Sequence, residues 1–465
     1  MSTENNIVHV VIVGGGFAGL NAAKELGDRP GIRVTVIDRR NHHLFQPLLY
    51  QVAMAAISPA DIAVPIRSIV SEFENIEVIL APVLSIDRQN KKVVCDYREI
   101  SYDYLILACG ATHSYFGRDD WEDNAPGLKS IEEATEIRRR VFLSYELAER
   151  EENVDRQKEY LTFIVVGGGP TGVELAGALG EISRYTLESN FRNINPKRTR
   201  IILIEAGPRI LPAFDADLSE HAARELERLG VTIWTNTSVT EVRSDGVIAG
   251  GENIRARTIL WAAGVLGNGM NRTLGVELDR QSRVIVEADM SIPGSPDVFV
   301  VGDQASFSHT ADGKALPGLA PVAIQQGKHV AKNIIAEVKG KERKPFVYFD
   351  KGIMATIGRT DAVVQSGSMR LTGFLAWLMW IVVHIAYLIS FRNRVMVLFQ
   401  WGWSYFNFRR GARLIRSKIW KTRELEATLD RQREARMASL KAGQKKSVGG
   451  AAKKTASAKK KAKSR

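Results

Sequence analysis

The sequence predicts an α/β protein with two Rossmann-like dinucleotide-binding domains, followed by a C-terminal helical module that associates with a membrane. Three observations lead to this prediction. Glycine-rich loops follow buried-strand patterns at 14–19 and again at 167–172. Each loop precedes a segment with helical spacing and then a second strand-like run that ends in an acid. Finally, an apolar region rich in aromatic residues occupies 371–408.

The first glycine-rich loop lies between a strand-like run, Val8–Val13, and a helix predicted over Phe17–Leu26. The next strand-like run ends in Asp38, 24 residues after Gly14 (38 − 14). The start of a helix offers N–H groups to a pyrophosphate, and an acid about 20 residues further on hydrogen-bonds a ribose hydroxyl. The first unit therefore predicts a dinucleotide site.

The second unit repeats this pattern with a strand at Leu161–Val166, a helix from about Thr171 to Tyr185 and a strand at Arg200–Ile204. That strand ends in Glu205, which favours NADH because a carboxylate repels the 2′-phosphate of NADPH. Arg209 nearby weakens this preference slightly and leaves NADPH as the alternative. Two such loops predict two dinucleotides that face each other and pass electrons between them.

Later strand-like runs end in small residues, which let a backbone approach a flat cofactor closely. These runs are Tyr104–Ala108 before Cys109, Gly110 and Ala111; Thr258–Ala262 before Ala263 and Gly264; and Val298–Val301 before Gly302 and Asp303. Two short strands are also predicted at Pro345–Tyr348 and Met354–Ile357. They complete the predicted sheets.

The two cysteines, Cys95 and Cys109, form no CxxC pair, and each falls in a strand-like run. We interpret them as buried structural thiols, so electrons are expected to leave by a route other than a redox disulfide. The adjacent His42 and His43 point in different directions on a strand or helix and have no surrounding ligand cluster. No metal site is predicted.

The formal net charge of +12 is unevenly distributed. Residues 409–465 carry 20 Lys and Arg against 4 Asp and Glu, a net +16, so the other 408 residues carry 12 − 16 = −4. Such a tail suits anionic lipid headgroups, and nucleic acid is the alternative. No secretory or transit peptide precedes the first strand, so the folded body is expected in the cytoplasm.

The aromatic region contains Leu371–Phe391, 21 residues without a formal charge, and a second apolar run, Val395–Phe408. A helix of that first length reaches about 31 Å, enough to span a bilayer. A span would place the basic tail opposite a cytoplasmic body, against the positive-inside tendency. We therefore favour a helical pair embedded in one membrane surface over a true span or a soluble core helix. Four arginines suit the headgroups there: Arg409, Arg410, Arg413 and Arg416.

Eight segments spread in order over 7–359 together resemble the type II NADH:quinone oxidoreductases, a family of flavoproteins with two dinucleotide-binding domains. They read VVIVGGGFAGL, NHHLFQPLLYQVA, LILACGATHSYFG, VVGGGPTGVELAGALGE, LWAAGV, VFVVGDQAS, LAPVAIQQGKHVAKNI and FDKGIMATIGR. No single segment is decisive, but the set is highly specific.

The resemblance implies FAD at the first loop and NADH at the second. The implied FAD residues are Gly14, Gly16, Phe17, Ala18, Gly19, Asp38, Arg39, Gly110, Ala111, Gly302 and Asp303. The implied NADH residues are Gly167, Gly169, Gly172, Glu205, Ala263 and Gly264. The expected domains are FAD-binding (1–120 and 268–340), NADH-binding (121–267), C-terminal strands with membrane-associating helices (341–408), and a basic helix with a Lys-rich tail (409–465).

Two catalytic residues are expected, Glu174 and Gln325. Glu174 is placed in the first turn of its helix, where a carboxylate interacts favourably with the helix dipole. The resemblance also gives it a positioning or proton-handling role at the nicotinamide–flavin contact. The implied quinone side comprises Phe45, Pro47, Leu48, Pro321, Ile324 and Gln325. Pro321 departs from the family pattern, which often has Gln there, and so removes side-chain hydrogen-bonding groups.

The resemblance implies a flavoenzyme that transfers a hydride from NADH to FAD and two electrons on to a membrane quinone, without proton pumping. It is expected as a homodimer at the cytoplasmic face of a bacterial inner membrane, with no specific nucleic-acid partner. A sulfide:quinone oxidoreductase is the nearest alternative and would need reactive cysteines. A soluble ferredoxin or rubredoxin reductase would not need 371–408, and a vestigial binding protein would bind DNA through its tail and lack a flavin.

Overall fold

The computed structural model of the protein describes residues 7–407 and 412–415. Its helices are α1 Phe17–Leu26, α2 Leu49–Ala53, α3 Ile66–Val70, α4 Ile131–Arg150, α5 Val154–Tyr160, α6 Pro170–Glu181, α7 Ala216–Arg228, α8 Ala320–Val338, α9 Gly373–Tyr387 and α10 Phe391–Asn407. Its strands are β1 Val8–Val13, β2 Ile32–Asp38, β3 His42–Leu44, β4 Ala63–Pro65, β5 Ile76–Leu80, β6 Val83–Asp87, β7 Lys92–Cys95, β8 Glu99–Ser101, β9 Tyr104–Leu107, β10 Ala111–His113, β11 Thr162–Val166, β12 Arg200–Ile204, β13 Val231–Trp234, β14 Val239–Arg243, β15 Gly246–Ala249, β16 Glu252–Arg255, β17 Thr258–Trp261, β18 Val265–Gly267, β19 Val284–Ile285, β20 Ser291–Ile292, β21 Ser295–Val300, β22 Ala305–Ser306, β23 Ile353–Ile357, β24 Asp361–Ser366 and β25 Met369–Thr372.

The first large sheet has the strand order β20-β21-β9-β1-β2-β5, and all its pairings except β20–β21 are parallel. The central strand β1 ends in four consecutive buried residues because helices cover both faces of a parallel sheet. On one face α1 and α8 lie in close contact: a Cβ atom at Gly327 would fall 2.1 Å from the carbonyl oxygen of Ala18. The sheet therefore aims the carboxyl ends of β1, β9 and β21 at one edge.

The second large sheet has the order β13-β12-β11-β17 and is parallel throughout. All five residues of β11 are buried, as expected for a central strand with covered faces. Both sheets confirm the predicted strand–loop–helix–strand units. The helix predicted to reach Tyr185 is regular to Glu181 and continues as a π-helical turn over Ile182–Thr186.

A short antiparallel ladder connects the two sheets. The chain leaves the first sheet after β9 through β10 and returns to it through β18, and these two strands pair with Ala111 opposite Gly267 and His113 opposite Val265. The ladder lies at the carboxyl ends of β9 and β17. It therefore brings the loop ends of the two sheets side by side.

The C-terminal part contains a third, antiparallel sheet, β23-β24-β25, which contacts α6, α7 and α9. The strand predicted at Met354–Ile357 is confirmed within β23. The strand predicted at Pro345–Tyr348 is wrong, because this extended segment pairs with no strand of the described chain. The strands β24 and β25 were not predicted, because the apolar run of β24 is only three residues long and β25 is largely exposed.

The predicted apolar helix over Leu371–Phe391 is also wrong in its bounds. Leu371 belongs to β25, and α9 covers 15 residues before the chain turns at Ser390, whose φ is +78°. A second helix, α10, follows, and the tryptophan rings of Trp380 and Trp401 pack 5.3 Å apart between the two. Among the described residues, no helix combines the length and hydrophobicity that crossing a bilayer requires. Phe408, Arg409, Arg410 and the segment 416–465 lie outside the described residues.

Candidate active site

The first glycine-rich loop joins β1 to α1 without room for side chains. Gly14 has φ +105°, and a Cβ atom there would lie 2.3 Å from the carbonyl oxygen of Ala108. At Gly19 a Cβ atom would lie 1.8 Å from the oxygen of Gly14. Gly16 caps the helix with no side-chain hydrogen bond, and nothing lies within 4 Å of its Cβ position. The loop therefore leaves open space before the unpaired N–H groups of the helix, which suits a pyrophosphate.

The second loop has the same construction. Gly167 also has φ +105°, and its Cβ position lies 2.7 Å from the backbone of Ala262. A Cβ atom at Gly172 would lie 1.8 Å from the oxygen of Gly167, whereas nothing lies within 4 Å of the Cβ position of Gly169. Gly169 caps α6 without a side-chain partner. Both helix starts can therefore hold a phosphate group.

The acids after the loops are held in the same way in both units. One oxygen of Asp38 accepts the N–H of Gly15 at 2.6 Å, and the other accepts the N–H two residues further along the chain at 2.7 Å. Glu205 accepts the N–H of Gly168 at 2.6 Å and the N–H two residues further on at 2.7 Å. Each carboxylate thus lies at the loop and keeps lone pairs for ribose hydroxyls.

The small residues after the other strands meet at the ladder between the sheets. Ala111 begins β10, and Gly264 immediately precedes β18, its partner. The carbonyl oxygen of Gly264 accepts the N–H of Ser114 at 3.3 Å. Gly264 thus lies opposite Ser114, whereas Ala111 pairs with Gly267, so the predicted cofactor residues of the two units lie at opposite ends of this short ladder.

Two buried glutamines that the sequence reasoning missed hold the corners of the first sheet. The amide oxygen of Gln326 accepts the N–H of Gly302 at 2.7 Å. The amide oxygen of Gln304 accepts the N–H of Cys109 at 2.8 Å, and its nitrogen donates to Asn271. Gln304 directly follows the Gly-Asp motif, and Gln326 directly follows the predicted quinone residue Gln325. These positions were the available signal, but the sequence did not indicate that the two side chains bind the backbone of the sheet.

The remaining residues predicted for FAD surround the first loop. The ring of Phe17 meets the ring of His43 edge to face at 5.1 Å. Ala18 is buried in the contact between α1 and α8, whereas Arg39 is exposed after β2. Asp303 is half-buried at the end of β21. All four residues therefore lie at the start of α1 or just after β2 and β21, at the carboxyl ends of the strands of the first sheet.

Glu174 occupies a different environment from the one predicted. It is the fifth residue of α6, and the first turn of that helix contains no acid. Burial away from water raises the pKa of Glu174 to about 8, although the backbone N–H of Thr356 hydrogen-bonds its carboxylate and opposes this. A helix dipole would instead have lowered the pKa. Glu174 is therefore a carboxyl group that stays largely protonated at neutral pH.

Glu174 lines a cavity of about 80 Å³ between α6, the third sheet and the C-terminal helices. A chain of hydrogen bonds crosses its wall: Tyr50 to Thr356 at 2.9 Å, Gln51 to Tyr50 at 3.1 Å, and Trp401 to Gln51 at 2.7 Å. The full lining is Tyr50, Gln51, Ala56, Glu174, Ala178, Glu181, Thr186, Thr356, Gly358, Arg359, Trp377, Trp380, Ile381 and Trp401. The sequence reasoning missed most of these residues, because their common cavity depends on the third sheet.

Comparison with known proteins distinguishes among families that share this fold. Residues 8–327 match the family described as pyridine nucleotide-disulphide oxidoreductase, and residues 351–410 match the NDH2 C-terminal domain. The type II NADH:quinone oxidoreductase Ndh of Mycobacterium tuberculosis is 44% identical over 418 residues, which cover 86% of this chain and 89% of that protein. The chain belongs to the type II NADH:quinone oxidoreductase family.

A second relative agrees with this assignment, and a solved structure agrees with the fold. The type II NADH:quinone oxidoreductase NdhA of Mycobacterium tuberculosis is 40% identical over 448 residues, covering 92% of this chain and 94% of that protein. The structure of NDH2 from Plasmodium falciparum in complex with NADH superposes with a TM-score of 0.80 and 19% identity, covering 87% of this chain and 99% of that one. At such low identity this structural likeness establishes the fold alone.

The quinone-side residues implied by the family fall into two groups. Phe45 and Leu48 are buried, with Phe45 packed 6.3 Å from the ring of His384 on α9. Pro47 lies in a short 3-10 helix and, like Ile324 on α8, is only partly exposed. None of these four side chains lines the cavity that contains Glu174. The predicted quinone side nevertheless adjoins the cavity, because the ring of His384 beside Phe45 stacks at 4.1 Å on Trp380 of the cavity wall.

Pro321, the departure from the family pattern, has a local structural explanation. It is the second residue of α8, a position at which a backbone N–H would have no partner within the helix. A proline, which has no N–H, therefore loses no hydrogen bond there. Gln325, one turn further on, directs its amide at the backbone of Phe349: the nitrogen donates at 2.9 Å and the oxygen accepts at 3.0 Å. One N–H and one lone pair of Gln325 remain for a ligand.

The cysteines show no sign of redox chemistry. Cys95 is buried in β7 as predicted, whereas Cys109 follows β9 and is only half-buried, so the prediction of a buried thiol within that strand is wrong. Both are free thiols. Burial raises the pKa of Cys109 to about 12 and also raises that of Cys95, which disfavours the thiolate that sulfide chemistry requires.

The histidines of β3 make separate contacts. His43 bonds the carbonyl oxygen of Gly15 at 3.0 Å, and His42 bonds Asn41. In the described part of the chain, one group of metal-ligand types comes together, formed by His221, Glu225 and Asp361. There the His221 ring nitrogen is already paired with Asp361 at 2.9 Å.

Proposed function

We propose that this chain oxidises NADH and reduces a membrane quinone through a bound FAD, with FAD on the first loop and NADH on the second. The observation that carries the proposal is the pair of identically built glycine loops whose sheet ends meet at the β10–β18 ladder. When bound, FAD accepts a hydride from NADH and passes two electrons to the quinone. We further propose an FAD-binding domain over 1–120 and 268–340 and an NADH-binding domain over 121–267.

The chain's own residues bind and orient these groups. Asp38 and Glu205, each fixed by two backbone N–H groups, present oxygens to the ribose hydroxyls of FAD and of NADH. A carboxylate at Glu205 favours NADH over NADPH. Gln326 and Gln304 fix the backbone at Gly302 and Cys109, so that the small residues beyond can lie flat against a ring system.

Glu174 handles a proton in this proposal. A quinone that receives two electrons also takes up two protons, and a carboxyl group with a pKa of about 8 holds its proton at neutral pH. The surrounding tryptophans and Tyr50 limit water at this carboxyl. Gln325 retains one N–H that can donate to a quinone carbonyl.

We propose that the enzyme associates with one membrane surface at the cytoplasmic face, without a span. Outward apolar side chains on α9 and α10 support this: Phe374, Leu375, Leu378, Val382, Phe391, Val395, Leu398, Phe399 and Trp403. Labelling of the C-terminus from outside intact cells would contradict this arrangement. We also propose a homodimer with no specific nucleic-acid partner, to be tested by light scattering and by DNA titration at physiological salt.

The decisive experiment is turnover of the purified protein. We expect a yellow protein that is bleached by NADH and recoloured by quinone, with NADH preferred to NADPH when both are compared against ubiquinone and menaquinone analogues. A colourless protein that binds DNA tightly would refute the enzyme. In reconstituted vesicles, NADH oxidation should proceed without proton uptake into the lumen, and NADH-driven pumping would overturn that part of the proposal.

The sulfide:quinone alternative has its own test. Replacing both Cys95 and Cys109 by alanine should leave NADH:quinone turnover unchanged, because burial raises the pKa of both thiols and disfavours the reactive thiolate. Complete loss of activity in a folded double variant would favour sulfide chemistry instead.

A further inference from the structure

Three polar side chains of α8, spaced four residues apart, hold the backbone of the extended segment 344–351, here termed the edge segment. Gln325 bonds both the N–H and the carbonyl of Phe349. Asn333 bonds both the N–H and the carbonyl of Lys344, at 3.1 and 2.9 Å, and His329 bonds that same carbonyl at 2.9 Å. Residues four apart share one face of a helix, so the edge segment lies along α8 in a fixed orientation.

This orientation gives the alternating side chains of the edge segment opposite surroundings. Phe346 is buried, with its ring 5.3 Å from that of Phe307, and Tyr348 packs against the same core. Val347 and Phe349 face outward with 80% and 71% exposure. Outward positions of an extended segment usually carry polar residues. Two apolar residues held outward by a dedicated set of hydrogen bonds therefore indicate a contact surface.

The surroundings of the edge segment favour a lipid surface as the partner. Four exposed lysines flank its apolar residues, against two acids, Glu342 and Asp350: Lys339, Lys341, Lys344 and Lys351. Lys351 donates to the hydroxyl of Tyr387 at 2.7 Å at the end of α9. The edge segment thus continues into the outward apolar faces of α9 and α10. Apolar residues bordered by lysines and a tyrosine match the interface of an anionic bilayer.

We propose that the edge segment is an additional membrane-contacting element, which inserts Val347 and Phe349 into the interface of an anionic bilayer while its lysines bind headgroups. This inference rests on the proposed membrane association and adds to it an element outside the C-terminal helices. It also places the lipid contact next to the proposed quinone side, because the side chain of Gln325 is hydrogen-bonded to the backbone of Phe349.

The test uses the full chain with a polarity-sensitive NBD label. The variant V347C and the control V154C place cysteine at two exposed valines, with exposures of 80% and 63% on different parts of the surface. The unsubstituted protein gives the background from Cys95 and Cys109. On vesicles of equimolar phosphatidylcholine and phosphatidylglycerol, NBD at 347 should shift to the blue and brighten, whereas NBD at 154 should not change.

A second variant measures the energetic contribution. V347S/F349S should bind the same vesicles about tenfold more weakly in co-sedimentation, because two apolar contacts are lost. If the protein sediments with the vesicles but NBD at position 347 reports surroundings as polar as those at 154, the inference is overturned. Failure of the unsubstituted protein to bind vesicles would overturn it too, yet NADH-dependent reduction of a water-soluble quinone in that same preparation would still support the proposed enzyme.

Discussion

At the scale of single residues, the surroundings of a carboxyl group decide what it can do in this protein. Asp38 and Glu205 each accept two backbone N–H bonds at the end of a strand, which hold the carboxylate in position to accept hydrogen bonds from sugar hydroxyls. Glu174 lies in a cavity walled by tryptophans, where desolvation favours the protonated acid. In our proposal the same functional group thus accepts hydrogen bonds from hydroxyls in one place and donates a proton in another.

The Glu174→Gln substitution tests the proton-donor role. We expect kcat for quinone reduction by the unsubstituted enzyme to fall as the pH rises through about 8, because the raised pKa is where the carboxyl loses its proton. In E174Q, kcat should be lower and this alkaline decline should disappear. Steady-state kinetics across neutral and alkaline pH provide the measurement, with E220Q on the exposed face of α7 as the control. An unchanged alkaline decline in E174Q would rule out the role.

Desolvation of Glu174 also affects stability. A carboxyl whose pKa is raised in the folded state stabilises the fold fully only below its unfolded value of 4.5, and this contribution is lost as the pH rises through about 8. The site therefore trades alkaline stability for a proton that is available at neutral pH. E174Q removes the ionisable group, so its free energy of unfolding should decline less toward alkaline pH.

The glycines of the first loop permit a matched pair of substitutions. Gly19→Ala places a methyl group 1.8 Å from the oxygen of Gly14, and we expect it to destabilise the fold by about 3 kcal/mol. Gly16→Ala meets no protein atom within 4 Å, so the apoprotein should unfold at an unchanged temperature while FAD binding weakens. Thermal unfolding and flavin-fluorescence titration separate the two effects. Unchanged FAD affinity in G16A would contradict the assignment of this loop.

At the scale of elements, the central strands were predictable because parallel strands covered on both faces form continuous apolar runs. β1, β11 and β12 follow that rule within a residue or two. In the third sheet only β23 was predicted, because the apolar run of β24 is three residues long and β25 is largely exposed. Two helices were predicted over the apolar region with a break after Phe391, but the break lies at 388–390, where Ser390 has a positive φ. Such a turn leaves no composition signal in a run of apolar residues.

The same limit applies to the candidate site. The glycine loops and their acids are local motifs, so the residues that bind phosphate and ribose could be named from sequence. The cavity around Glu174 combines α2, α6, β23, α9 and α10, which are distant in sequence. Gln325 was named from a family pattern, yet its hydrogen bonds to the backbone of Phe349 could not be anticipated from α8 alone.

Helix α4 supports α2, the element that carries Tyr50 and Gln51, and its start can be tested. The hydroxyl of Ser130 accepts the N–H of Glu133 at 3.2 Å, and the Glu133 carboxylate accepts the N–H of Ser130 at 2.9 Å. Ser130→Ala should lower the free energy of unfolding by about 1 kcal/mol. Urea denaturation provides the measurement, with the exposed Ser189→Ala as a control that should change it little. Equal effects of both substitutions would show that this cap is not stabilising.

At the scale of the whole molecule, the C-terminal helices have two faces with different tasks. Inward, Trp380 and Trp401 close the cavity that contains Glu174. Outward, the same helices present Leu378 and Phe399 with 45% and 68% exposure. One pair of helices therefore links membrane contact to the enclosure of the site. Substitutions on opposite faces should separate these two tasks.

L378S/F399S should weaken co-sedimentation with anionic vesicles about tenfold or more, since two large apolar side chains no longer enter the interface. It should leave the reduction of a water-soluble quinone unchanged, because both side chains point away from the cavity. Trp401→Phe should do the reverse: it removes the indole N–H that donates to Gln51 at 2.7 Å and lowers quinone turnover while vesicle binding persists. L84S, at a residue 58% exposed on β6, controls for the loss of surface apolar area. If L378S/F399S bound vesicles as tightly as the unsubstituted protein, α9 and α10 would not be the membrane-facing elements.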